Sequence, residues 1–483
     1  MKLELLLEGL DYSCVNDISQ VTVNDICFDS RKVKLNDMFV ANKGYNVDGH
    51  DYIEKATELG ASVILCEHKP KRLAKNVKYI VTPDSSLGLG VVSSNFYDNP
   101  SRKLKLIGVT GTNGKTTTVT LLYEMLNLFG KKAGLISTVC NYIDTLKVAS
   151  HQTTPDPITI NKLLSSMVVA GCEYCFMEVS SHSAHQQRIA GLDFDGAVFS
   201  NITHDHLDYH KTFKAYINAK KIFFDKLKAQ AFSLVNVDDK NGEIMFQNTR
   251  AKKYTYSCKK MADFNCKVRE RHLNSTLLSI DNNEVWTKFT GDFNAYNVLA
   301  VYSTAILLGF TKDEVLKNIS LLVPVSGRFE TMISKTGITV VVDYAHTPDA
   351  VENVLKSLNE LKTNNKIISV VGAGGDRDKT KRPEMAEVAS RMSDMVVLTS
   401  DNPRTEDPDQ IIRDMLVGVP DAYKTEVLCI TDRAKAIKTA IVKAKKGDVV
   451  LVAGKGHEDY QEIMGVKHHF DDKEVVNDFF KQL

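Results

Sequence analysis

Along most of the chain, short apolar runs alternate with stretches whose apolar residues recur every three or four positions. This is the pattern of strands buried on both faces and joined by amphipathic helices. It predicts α/β folding, and it restarts three times. The first stretch closes near Asn99-Pro100-Ser101, a turn signal, before an apolar strand predicted over Leu104 to Val109. The second crosses a more polar, β-rich patch between about Lys252 and Phe293 and ends near Gly327-Arg328. The third opens with the run Ile338 to Asp343, and its next strand, Lys366 to Val371, enters a glycine cluster. The expected domains are residues 1–100, 101–328 and 329–483, the last resembling a dinucleotide-binding sheet.

The length of 483 residues agrees with about three domains at roughly 100 to 200 residues each. Hydrophobic residues make up 43%, and 61 basic against 60 acidic side chains leave a formal charge of +1, so nothing in the bulk charge favours a nucleic acid partner. No apolar run approaches the ~20 residues that span a bilayer. The start, Met1 to Tyr12, is interrupted by Glu4 and Glu8 and is too short for a secretory signal. Nine scattered cysteines read as reduced thiols. A cytoplasmic protein without membrane insertion is expected, and a monomer. Cys172 and Cys175 form a C-x-x-C, but no second pair accompanies it and the segment is strand-like, so core thiols are expected over a zinc or redox site.

The most informative segment is Leu106-Ile-Gly-Val-Thr-Gly-Thr-Asn-Gly-Lys-Thr-Thr-Thr118, a buried-type strand, a glycine-bearing loop and a helix start. Gly111 and Gly114 let backbone amides close around phosphate, Lys115 neutralises its charge, Thr116 offers a hydroxyl to magnesium, and the helix adds its positive end. Thr112, Asn113 and Thr117 complete the loop. Position 109, where the usual phosphate loop carries glycine, is Val109, so this is a variant. A regulatory nucleotide-binding switch shares such a loop and stays open as an alternative. A dehydrogenase reading of Val371-Gly-Ala-Gly374 fails because the fingerprint's third glycine would fall on Arg377.

Thr110-Gly-Thr-Asn-Gly-Lys-Thr-Thr117 resembles the loop of the Mur ligase family and of its relative folylpolyglutamate synthase. Seven further segments match the Mur ligases in order: Glu178-Val-Ser-Ser-His182, Asp205-His-Leu-Asp-Tyr-His210, Gly291-Asp-Phe-Asn-Ala-Tyr-Asn297, Gly327-Arg-Phe-Glu330, Asp343-Tyr-Ala-His-Thr-Pro348, Asp401-Asn-Pro-Arg404 and Gly454-Lys-Gly-His-Glu458. The resemblance implies a three-domain architecture with a central P-loop ATPase domain and a Rossmann-like carboxy-terminal domain. It also implies ATP-dependent joining of an amino acid to a UDP-muramoyl peptide through an acyl phosphate, in cell-wall synthesis.

By the same resemblance, Glu178 is a magnesium ligand with Thr116, and His206 binds a second magnesium. Lys220 is a lysine carbamylated by carbon dioxide, chosen over Lys221 by its spacing from His210. Asn294 and Asn297 lie near adenine, and Arg328, Asp343 and His346 contact the nucleotide. Ser30, with Arg31, matches the UDP-binding segment. Thr153, Thr154, Ser180, Gln186 and Arg188 match contacts to the muramoyl peptide, Arg188 being the natural partner of an acidic dipeptide. Arg377, Asp401, Asn402, Pro403, Arg404, Gly454 and Glu458 match the amino-acid pocket. The expected substrates are UDP-N-acetylmuramoyl-L-alanyl-D-glutamate, ATP and meso-diaminopimelate. Diaminopimelate differs from lysine by a carboxylate beside its distal amine. Arg404 would pair with that carboxylate and Glu458 with the ammonium, whereas lysine would leave the guanidinium facing an ammonium. Addition of L-lysine and folylpolyglutamate synthesis remain the near alternatives.

Overall fold

The computed structural model describes residues 1–14, 17–44, 47–362 and 365–482. Three sheets follow one another along the chain. The first has five strands, in which Ile26–Cys27, Met38–Val40, Val63–Cys66 and Lys78–Val81 run parallel and Ser13–Cys14 pairs antiparallel at one edge.

The second sheet has eleven strands, with Lys105–Thr110 near its middle between Gly196–Phe199 and Tyr174–Glu178, all parallel. Its polar patch folds as Lys252–Ser257, Phe264–His272, Ser275–Ile280 and Asn283–Thr287, the last three antiparallel. Period-two alternation divides each central strand between two cores. Ile107, Val109, Phe176, Val198 and Leu234 enter one cluster, and Leu106, Cys175, Met177, Ala197, Phe199 and Val235 enter the other. Both faces are covered by helices, which is why these strands appear in the sequence as unbroken apolar runs.

The third sheet has six strands in the order Glu330–Ile333, Thr339–Asp343, Val449–Ala453, Ile367–Ala373, Met395–Ser400 and Val427–Cys429, parallel except at the first edge. Val341 and Val340 again face different cores. The carboxyl ends of four adjacent strands therefore place Asp343, Gly454, Gly374 and Asp401 on one rim, where open parallel sheets gather ligands. Beneath that rim Arg433 and Asp472, both fully buried, form a two-pronged ion pair at 2.7 Å that joins helices Arg433–Lys443 and Asp472–Phe480. Arg433 also donates to Ala453 O at 3.0 Å.

The third unit is docked on the second. Asn113 Nδ2 and Thr203 Oγ1 donate to Asp349 Oδ2 at 2.7 and 3.1 Å, and Lys381 pairs with Asp205; at the junction Arg328 Nη2 donates to Thr116 Oγ1 at 3.2 Å. Asp349 lies in the first turn of helix Pro348–Leu361, whose entry is fixed by Thr347 capping Ala350 N and by proline at the start. Among the described residues, no helix is long and apolar enough to cross a membrane. Cys172 and Cys175 are free, buried thiols, and burial pushes both above the ordinary thiol range.

Candidate active site

Strand Lys105–Thr110 ends in the loop that opens helix Lys115–Leu128. Gly114 takes φ 87°, and a Cβ there would collide with Asn297 Oδ1, so this turn requires glycine on both counts. Lys115 Nζ folds back to Gly111 O at 3.0 Å and Thr112 O at 2.9 Å. Burial lowers its pKa, with Glu178 and Asp205 pulling the other way.

Glu178, 1% exposed, closes the neighbouring strand. Its Oε1 accepts from Thr116 Oγ1 at 2.9 Å and Thr138 N at 2.8 Å, while Oε2 is buried with no hydrogen-bond partner among the described residues. A carboxylate oxygen left so in a core is costly, and a hard cation would meet its charge. The site passes that test for magnesium: Glu178 and Thr116 supply oxygen alone, and nucleotide phosphates would supply more. Among the described residues no three His, Cys, Asp or Glu side chains converge as a dedicated metal cage.

Lys220 projects from helix Phe213–Asp225 to Gly111 O at 2.7 Å and is 2% exposed. Burial, with Lys115 close by, holds its pKa well below the usual value against the pull of Asp205. Lys221 turns away to Asp225 at 2.8 Å. His206, at φ 53°, lies with Nε2 3.4 Å from Asp205 Oδ2, and Asp205 Oδ1 accepts from its backbone N–H at 2.8 Å. Desolvation in the cleft holds this imidazole below its usual pKa against Asp205, helped by His182, Lys220 and Lys381, which favours the neutral form that can offer a lone pair to a metal. His204 is exposed.

Between the second and third units lies a cavity of about 670 Å³ whose walls include Asn113, Gly114, Thr117, Asn297, Arg328, Asp343 and His346. Asn294 sits behind this wall, accepting from Asn297 Nδ2 at 3.0 Å. The Arg328 guanidinium stacks on Tyr344 at 4.6 Å, and its Nε is buried without a partner among the described residues. Asp343 accepts from Phe329 N at 2.7 Å, and burial raises its pKa. His346 Nδ1 approaches Tyr344 O at 2.8 Å.

The expected acceptor residues form one network at the other side of Glu178. Thr154 Oγ1 donates to Glu178 O at 2.8 Å and accepts from Ser180 N at 3.1 Å. Arg188 donates to Thr154 O at 2.9 Å and, through Nη2, to Gln186 Oε1 at 2.7 Å, while Thr153 meets Thr138 at 3.1 Å. Ser30 stands apart in the first unit, buried in the single turn Ser30–Lys32, beside an exposed Arg31 that pairs with Asp29.

On the rim of the third sheet, Asn402 Nδ2 donates to Glu458 Oε2 at 2.8 Å, and a Cβ on Gly454, whose φ is 119°, would lie 2.6 Å from Asp401 Oδ2. Arg404 donates to Gly375 O at 2.7 Å and faces Glu462 at 3.5 Å. It lies in the loop through Pro403, whose backbone passes against Gly375. Arg377 is exposed, and a Cβ on Gly374 would be 3.0 Å from Arg404 Nη1 and 3.8 Å from Arg377 Cγ, so both arginines flank one glycine. Sequence reasoning missed Lys455, Asp349 and the Lys381–Asp205 pair. Lys455 lies inside a segment the sequence singles out, Asp349 directly follows one, and the pairing of Lys381 has no sequence signal.

Family models described as "Mur ligase family, catalytic domain", "Mur ligase middle domain" and "Mur ligase, glutamate ligase domain" match residues 22–101, 109–305 and 327–456. A protein of Parabacteroides distasonis named UDP-N-acetylmuramoyl-L-alanyl-D-glutamate--2,6-diaminopimelate ligase is 55% identical over 481 residues, 99% of each chain. One of the same name from Cytophaga hutchinsonii is 53% identical over the whole of both chains. A solved structure of a ligase so named superposes with a TM-score of 0.70 at 32% identity, covering 100% of this chain and 98% of that one.

Proposed function

The chain belongs to the Mur ligase family, and from that premise we propose that it joins meso-diaminopimelate to UDP-N-acetylmuramoyl-L-alanyl-D-glutamate. The reaction consumes ATP, passes through an acyl phosphate and releases ADP and phosphate in peptidoglycan precursor synthesis. The observation that carries the choice of amino acid is the placement of Arg404 and Glu458 on one rim, a cation and an anion for a distal zwitterion. Lysine would satisfy only Glu458.

In this reading residues 1–100 hold the UDP end through Ser30, 101–328 hold ATP, and 329–483 hold the amino acid. Arg188 and Thr154 orient the acidic dipeptide so that its γ-carboxylate reaches the phosphate loop. Lys115 and Arg328 steady the phosphates, and the asparagines at 294 and 297 lie on the adenine side. Glu178 and Thr116 would hold one magnesium, and His206 with a carbamylated Lys220 the second. Bound magnesium would neutralise charge between phosphates and the attacking carboxylate. A neutral, buried Lys220 amine is the form that attacks carbon dioxide: its lone pair makes the N–C bond, a C=O pair moves to oxygen, and a proton leaves nitrogen. The product carries a negative charge where an ammonium would repel the metal. The chain is proposed to act in the cytoplasm as a monomer, with no nucleic acid partner.

The test is product mass and phosphate release with magnesium, ATP and the UDP-muramoyl dipeptide, given meso-diaminopimelate or L-lysine in parallel. Product with diaminopimelate alone is expected. Efficient product with lysine would refute the role of Arg404 and leave the ligase chemistry in place, while no product with either would refute the acceptor assignment.

A further inference from the structure

Lys455 is fully buried on the rim of the third sheet, and its three donors meet three acceptors: Asn402 Oδ1 at 3.1 Å, Glu458 Oε2 at 3.4 Å and Asp401 Oδ1 at 3.5 Å. A buried ammonium is tolerated only when so paired. Both carboxylate distances exceed those of a tight charge-assisted bond, about 2.7 to 2.9 Å, so the ammonium is shared between the two acids. One positive charge then stands against two negative ones. Asn402 links the arrangement, accepting from Lys455 through Oδ1 while donating to Glu458 Oε2 at 2.8 Å. The other oxygen of Glu458, Oε1, has a long contact from Tyr344 Oη at 3.4 Å.

We infer that Lys455 is a positioning residue for amino-acid selection, which aims the Glu458 carboxylate and leaves the pocket with one unbalanced negative charge, to be met by the ammonium of the incoming side chain. This rests on the amino-acid site proposed above. A second acid without Lys455 would push the two carboxylates apart or protonate one of them, and either outcome would lose the anion that the substrate needs. A compact ammonium suits a three-way hub where a planar guanidinium does not.

The test is a double-mutant cycle with Lys455→Met and Glu458→Gln, reading KM for diaminopimelate, ATP and the muramoyl dipeptide separately. Lys455→Met should raise KM for diaminopimelate about 10- to 100-fold, as expected for losing a charged hydrogen-bond partner, while the other two KM values stay within about twofold. The double variant should be no worse than the weaker single one, because both changes break one device. Equal rises for all three substrates, an unchanged KM for diaminopimelate, or additive effects would overturn the inference. Should Lys455→Met lose ATP binding through misfolding, Asn402→Ala cuts the same link from its other side and is read by the same criteria. Absence of product from the unmutated protein with every amino acid would overturn the ligase reading itself, and the role of Lys455 with it.

Discussion

Glu178 shows how much chemistry one residue can hold. Its Oε1 is satisfied by Thr116 and Thr138, its backbone carbonyl by Thr154, and its Oε2 by nothing among the described residues. Glu178→Gln keeps the accepting oxygen and removes the charge. It should lower kcat by about 100-fold or more, while urea unfolding without magnesium shows little loss of stability, because Oε2 gives up no hydrogen bond among the described residues. Lys220 and Lys221 are adjacent in sequence and opposite in environment, one facing the phosphate loop and the other locked to Asp225. Isotopically labelled bicarbonate should give a carbamate carbon resonance that Lys220→Arg abolishes and Lys221→Arg retains. A resonance that survives in Lys220→Arg would remove the modification from that residue.

At the level of elements, the Arg433–Asp472 pair couples two helices beneath the pocket and touches the rim strand at Ala453 O. Asp472→Ala leaves a guanidinium buried and should cost about 3 to 5 kcal/mol in denaturant unfolding, with KM for ATP unchanged in the folded protein. The same scale shows what could be read from sequence. The strands predicted at Leu104 to Val109 and Ile338 to Asp343 occur as Lys105–Thr110 and Thr339–Asp343, because burial on both faces writes an apolar run that needs no partner to be recognised. The hairpin Tyr460–Ile463 with Val466–His469, which bonds the backbone of Arg404, carries no such mark: its second strand is exposed throughout. For the site, short motifs drew attention to Glu178, Arg404 and Glu458. Their partners were hidden wherever the contact spans distant segments, as between Asn113 and Asp349.

Across the whole molecule, the cavity proposed for the nucleotide exists because the second and third units meet. Asp349 takes hydrogen bonds from both Asn113 in the phosphate loop and Thr203, and burial raises its pKa. Asp349→Ala should raise KM for ATP by about 3- to 30-fold, the worth of about one or two charged hydrogen bonds, and should enlarge the radius of gyration in small-angle scattering. An unchanged profile with unchanged KM would show that closure rests elsewhere.

The rim that holds Arg404, Lys455 and Glu458 lies in the third unit, whereas the phosphate loop, Glu178 and Lys220 lie in the second. Inheritance can therefore treat the two separately. Substitutions on the rim that retune which amino acid is taken would leave Glu178 and Lys220 in place. Position 178 has no such freedom, because its side chain holds Thr116 of the loop while its carbonyl holds Thr154, a residue proposed for the acceptor. A laboratory seeking a ligase for a new amino acid would exchange the loops at 401–404 and 454–458 and leave the second unit intact.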